Sequence, residues 1–218
     1  MLNKKMTISL VIMTIASLAI GLSTVDSSGY GKVAHSLSLG FVISAFFYFL
    51  VVYLPEYNRR KMIHDALKSQ YIDFKLSCIS SFLITSNSQE YENREELLNL
   101  SEFRRYFKNN NKNGENRWDA VANSLQGNEF YLKEIIYNLR MLNEEIRYTR
   151  NIVNLNDPEV FDFLNRLSQS IVKMESTERE YDDIKSFCGF LWSIFTGWSW
   201  VEGYRESDLI KEMLGRAK

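Results

Sequence analysis

The stretch MTISLVIMTIASLAIGLSTV (residues 6–25) and the stretch VAHSLSLGFVISAFFYFLVVYLP (residues 33–55) lie close together near the N-terminus, separated by the polar segment DSSGYGK. Neither stretch contains Asp, Glu, Lys or Arg. A helix of about 20 residues is about 30 Å long, which matches the hydrocarbon thickness of a bilayer. The two stretches therefore predict a transmembrane hairpin over residues 1–55, with spans at about 6–25 and 33–55.

Basic residues flank this hairpin at its two outer ends. They are Lys4, Lys5, Arg59, Arg60 and Lys61. Because cytoplasmic flanks of membrane helices are enriched in Lys and Arg, both termini are expected in the cytoplasm. This predicts a multi-pass membrane protein that contacts the lipid bilayer directly.

The first apolar stretch has a second interpretation as a secretory signal peptide. It follows two lysines and ends with small residues at Gly21 and Ser23, which is also the pattern of a signal sequence. The stretch is longer than a usual signal core and a second span follows at once. A hairpin is the simpler interpretation of the two.

Small residues recur every fourth position within both stretches. They are Ser17 and Gly21 in the first and Ser36, Gly40 and Ser44 in the second. A face of small side chains lets helix backbones approach closely in a membrane. The pattern predicts either packing between the two helices of one chain or self-association of several copies.

Composition limits what the rest of the chain does. The formal net charge is −1 over 218 residues, which argues against a dedicated nucleic-acid-binding protein, so no direct contact with nucleic acid is expected. The two cysteines, Cys78 and Cys188, lack the spacing of a metal site. They are predicted to be buried, reduced thiols.

Residues 56–218 read as a cytosolic α-helical domain, so the predicted fold class is all-α. Apolar residues at spacings of three and four predict a first helix from residue 56 to about 84. These residues are Ile63, Leu67, Tyr71, Phe74, Cys78 and Phe82. Further helices are predicted near 93–108, 118–125, 128–155 and 158–174, the last opened by Asp157 as N-cap and Pro158 at the first helical position.

The segment SFCGFLWSIFTGWSWV (residues 186–201) is uncharged and rich in aromatic residues. Its prominent members are Phe187, Phe190, Trp192, Phe195, Trp198 and Trp200. A helix would place Phe187, Phe190, Phe195 and Trp198 on one face. The segment is too short to span a bilayer comfortably, so it is either a core helix or an interfacial or re-entrant membrane segment, since tryptophan is favoured at the membrane boundary.

The sequence carries no signature of catalysis, and neither an enzyme nor a cofactor is expected. Phosphate-binding loops, dinucleotide-binding turns, zinc-protease motifs and hydrolase motifs are all missing from the sequence. His64 stands beside Asp65, but adjacent residues of a helix point about 100° apart, so an interfacial polar histidine is the simpler interpretation.

The order of these parts, a two-span hairpin followed by a small helical domain without an enzyme motif, resembles the two-transmembrane effectors of bacterial anti-phage defence. It is most similar to the membrane effectors of retrons. The resemblance covers the overall layout, with residues 6–25 and 33–55 matching the family's membrane part, and it involves no diagnostic motif.

That resemblance implies a toxin-like effector of the bacterial inner membrane. A partner complex, such as a reverse transcriptase with its RNA and DNA product, would hold it inactive. On release it would form homo-oligomers and damage the membrane, causing abortive infection. The competing interpretation is a non-toxic, membrane-anchored scaffold or accessory subunit.

Overall fold

The computed structural model describes residues 4–24, 29–153 and 157–217, with side chains from residue 8 onward. It forms two compact units, Met1–Met62 and Ile63–Lys218, called here the first and second units. The all-α fold class is confirmed. In the described ranges the β structure consists of a short ribbon and one isolated bridge between Asn110 and Asn116.

The elements follow one another in chain order. The helices are α1 (Lys4–Ser23), α2 (Tyr30–Tyr48), α3 (Leu54–Thr85), α4 (Leu100–Lys108), α5 (Arg117–Gly127), α6 (Glu129–Ile152), α7 (Pro158–Met174), α8 (Tyr181–Thr196) and α9 (Leu209–Arg216). A π-helical turn spans Phe49–Tyr53 and a 3₁₀ turn spans Arg94–Leu98. The ribbon pairs β1 (Trp198–Ser199) with β2 (Gly203–Tyr204) in antiparallel register.

One helical stretch, Tyr30–Thr85, is long and apolar enough to cross a membrane. It contains Pro55, which has no N–H to donate and whose ring clashes with the carbonyl four residues earlier. The chain accommodates this proline by a wider turn, in which the Leu54 N–H donates to the Phe49 carbonyl, five residues back. The helix therefore continues through the proline, which is the second residue of α3.

The core of the second unit is built around α3. All six residues of the predicted apolar stripe are buried there, which confirms this helix and the face that it buries. The Phe82 ring lies 5.1 Å from the Phe195 ring of α8 and 6.2 Å from the Phe103 ring of α4. An aromatic cluster thus joins α3, α4 and α8.

The paired helices α6 and α7 pack against each other. Asp157 caps α7 as predicted, because its Oδ1 accepts the N–H groups of Glu159 and Val160, and Pro158 follows at the first position. Asn128 caps α6 by accepting the Phe130 N–H. The predicted end of α6 near residue 155 falls within 154–156, outside the described residues.

Candidate functional site

In the first unit, the small residues of α1 lie against α2. The Ser17 hydroxyl donates to the Ser38 carbonyl over 3.2 Å. A Cβ atom on Gly21 would lie 3.4 Å from the Ser38 Cβ, and His35 Nδ1 lies 2.8 Å from the Gly21 carbonyl. Ser17 and Gly21 therefore serve the packing between the two helices of one chain.

The small residues of α2 lie elsewhere. Ser36, Gly40 and Ser44 are all exposed, and beyond the adjoining residues and backbone of its own helix no described atom comes within 4 Å of a Cβ built on Gly40. The buried residues of α2 are Ser38 and Ala45. Because Ser38 and Gly40 are two residues apart, they lie about 200° apart around the helix. The α2 stripe is thus left uncovered when α1 packs.

The basic cluster after the second stretch lies at the start of α3. Arg60 Nε pairs with Glu56 over 2.8 Å, and Arg59 reaches the same carboxylate at 3.6 Å. Lys61 is exposed. The side chains of Lys4 and Lys5 lie outside the described residues. Of the five basic residues predicted to flank the hairpin, the structure therefore describes the side chains of Arg59, Arg60 and Lys61.

The aromatic segment changes direction in its middle, which sequence periodicity missed. Helix α8 ends at Thr196 because Gly197 adopts a left-handed conformation with φ of 66°. A Cβ there would approach the Leu100 side chain to 3.0 Å. The predicted helical face that included Trp198 is therefore wrong at that residue, since Trp198 belongs to β1 and pairs with Tyr204.

The two interpretations of this segment apply to different residues. Phe187 and Phe195 are fully buried core residues, while Phe190 and Trp192 are half-buried. Trp200 and Val201, at the turn of the β ribbon, are 92% and 93% exposed. The core interpretation is right for the buried rings, and contact of the ribbon tip with a membrane stays a prediction.

All four tryptophans of the chain line one cavity of about 1090 Å³ in the second unit. Trp118 of α5 forms one wall, and its ring lies 5.0 Å from that of Trp192 on α8. Trp198 and Trp200 reach the cavity from the β ribbon. We call this cavity the tryptophan cleft. Sequence reasoning missed it because Trp118 is distant in the chain from the aromatic segment.

His64 and the two cysteines are buried within the second unit. His64 is buried rather than interfacial, and its Nε2 lies 2.8 Å from the Leu214 carbonyl at the end of α9. Asp65 is exposed, and its Oδ1 lies 3.4 Å from the Nδ1 atom of the His64 ring.

Cys78 and Cys188 are buried free thiols, as predicted. Burial raises the pKa of Cys188 to about 12 and that of Cys78 well above its ordinary value, so neither thiol is a nucleophile at neutral pH.

Within the described residues, no group of three or more His, Cys, Asp and Glu side chains is arranged to hold a metal ion. No protein-family model, curated protein or solved structure matches the chain. Two features of the described residues bear on function: the uncovered face of α2 and the tryptophan cleft.

Proposed function

We propose that this chain is a membrane-embedded effector of a retron-type antiviral defence system. In this proposal the chain is a multi-pass inner-membrane protein, with α1 and α2 as its two spans and both termini in the cytoplasm. A partner complex holds it inactive. Once released, several copies associate and breach the membrane, which kills or arrests the infected cell.

The observation that carries the proposal is the division of the small residues between two faces. Ser17 and Gly21 are used within the α1–α2 pair, while Ser36, Gly40 and Ser44 remain uncovered on α2. Two helices cannot enclose a water-filled path, so permeabilisation requires several hairpins. An uncovered face of small residues is the surface on which further helices can pack closely.

Two further features support a membrane location with the second unit in the cytoplasm. The apolar helical stretch that contains α2 is long enough to span a bilayer. Within this stretch, Arg59 and Lys61 follow the apolar residues 33–55 of the predicted second span, and positive charge after a span favours the cytoplasmic side. The suggested partner, a reverse transcriptase with its RNA and DNA product, comes from the resemblance of layout alone.

Expression in a bacterial host tests this function. The full chain, induced alone, should stop growth and admit a membrane-impermeant dye, whereas a fragment of residues 56–218 should do neither. Co-expression of a reverse transcriptase encoded beside the gene should suppress the toxicity of the full chain. Killing by the fragment would place the target in the cytoplasm. A harmless full chain that still inserts would favour the scaffold or accessory subunit.

A further inference from the structure

The tryptophan cleft is lined by two helices and the β ribbon of the second unit. Trp118 belongs to α5, Trp192 to α8, and Trp198 and Trp200 to the ribbon. The Trp192 Nε1–H donates to the Tyr204 hydroxyl over 3.3 Å, which orients the indole within the cleft. The cleft therefore presents several indole rings to one space. Its volume of about 1090 Å³ is that of a site for a sizeable ligand, since ligand pockets commonly measure about 300–1,000 Å³.

The polar residues of the cleft carry a specific charge pattern. Asp119 on the α5 wall and Asp182 on the α8 wall both line the cavity and are exposed. Neither carboxylate forms an ion pair with a described residue. Lys185 is the single basic side chain among the lining residues that the structure describes, and its Nζ lies 5.9 Å from the centre of the Tyr181 ring. The cleft is thus lined by aromatic rings and by two carboxylates, one on α5 and one on α8, for which the described residues provide no ion-pair partner.

We propose that the tryptophan cleft is a binding site for an organic cation of the quaternary ammonium or guanidinium class. The face of an indole ring is electronegative and attracts such cations, with Trp the strongest of the aromatic side chains. A weakly hydrated cation loses little on leaving water, and the two carboxylates add long-range attraction. An anionic ligand would meet repulsion from Asp119 and Asp182, so the charge pattern selects for positive ligands.

The cation is expected to be one end of a larger molecule, because the cleft exceeds the size of a single ammonium or guanidinium group. Two sources share this chemistry: a free quaternary ammonium compound and an arginine side chain of a partner protein. This inference is independent of the proposed membrane activity, since none of the lining residues belongs to the first unit.

Intrinsic fluorescence tests the site directly, because every tryptophan of the chain lines the cleft. The full chain, purified in an uncharged maltoside detergent, would be titrated with choline and with N-acetyl-arginine amide. The neutral isostere 3,3-dimethyl-1-butanol has nearly the shape of choline without its charge. We expect a saturable fluorescence change with at least one cation and at least about tenfold weaker binding of the isostere. The tighter of the two cations identifies the source.

Substitution separates this site from a general response of the detergent-bound protein. The double variant Asp119→Asn with Asp182→Asn should bind the preferred cation about tenfold more weakly, because the loss of each carboxylate lowers the affinity roughly threefold. Asp162→Asn removes an exposed carboxylate that does not line the cleft and should leave binding unchanged. The proposal is overturned if neither cation changes the fluorescence, if the isostere binds equally well, or if the double variant binds like the wild type.

Discussion

The Lys75 ammonium lies 3.0 Å from the carboxylate of Asp208, and this ion pair joins α3 to the start of α9 inside the second unit. Lys75 is only 2% exposed, and burial lowers the pKa of its ammonium group. The Tyr71 hydroxyl donates to the same carboxylate at 2.9 Å. Asp208 also caps α9 by accepting the Lys211 N–H. One carboxylate therefore compensates a buried cation, pairs with a buried tyrosine and starts a helix.

Removing this carboxylate should destabilise the protein strongly. Asp208→Ala leaves the Lys75 charge buried without its carboxylate partner, which should lower the free energy of unfolding by about 3–5 kcal/mol. Denaturant unfolding followed by circular dichroism measures the change. Glu144→Ala is the control, because it removes an exposed pair with Arg147, for which a loss of at most about 1 kcal/mol is expected. Equal losses in the two variants would show that the buried pair contributes no more than a surface pair.

The buried Cys188 thiol predicts a loss of stability at alkaline pH. Burial raises its pKa from an ordinary value of 9.0 to about 12. Between these values the unfolded chain releases the thiol proton while the folded chain keeps it, so the free energy of unfolding falls as the pH rises above 9. The contribution is about 1.4 kcal/mol per pH unit. Denaturant unfolding at pH 8, 9 and 10 should therefore show a shallower decline for Cys188→Ala than for the wild type, whereas parallel declines would contradict the prediction.

The uncovered face of α2 predicts which substitution should disrupt the proposed self-association. Gly40→Leu adds bulk where neighbouring hairpins should meet, while its added apolar surface favours insertion. We expect normal membrane insertion, loss of oligomers in a crosslinking assay and loss of dye leakage. Ala16→Leu is the matched control, because it makes a similar change at an exposed position of α1. Unchanged oligomers and leakage in Gly40→Leu would exclude this face as the contact.

The basic cluster at Arg59, Arg60 and Lys61 predicts the side of the membrane on which the second unit lies. A green fluorescent protein fused after Lys218 should fluoresce, since it folds in the cytoplasm. Alkaline phosphatase at the same position should be inactive, because it needs the periplasm. The reverse pair of results would place the C-terminus outside. Replacing all three basic residues with Gln should weaken the preference in the same assay.

Local patterns in the sequence were enough to predict several elements. The apolar spacing from Ile63 to Phe82 placed α3 and the face that it buries, because a helix of 3.6 residues per turn aligns such residues on one side. Asp157 and Pro158 placed the start of α7, because capping depends on neighbours in the chain. The long apolar stretch of α2 was likewise visible from residue type alone.

Contacts between distant residues required the tertiary structure. His64 meets Leu214 across 150 positions, and Trp118 meets Trp192 across two different helices. Repeats of Ser and Gly could not show that Gly21 faces α2 while Gly40 is left uncovered. The sequence determined the face that α3 buries and the start of α7, since periodicity and capping act over a few residues. Only the tertiary structure decided which faces meet, because packing between helices depends on the shapes of side chains brought together from remote parts of the chain.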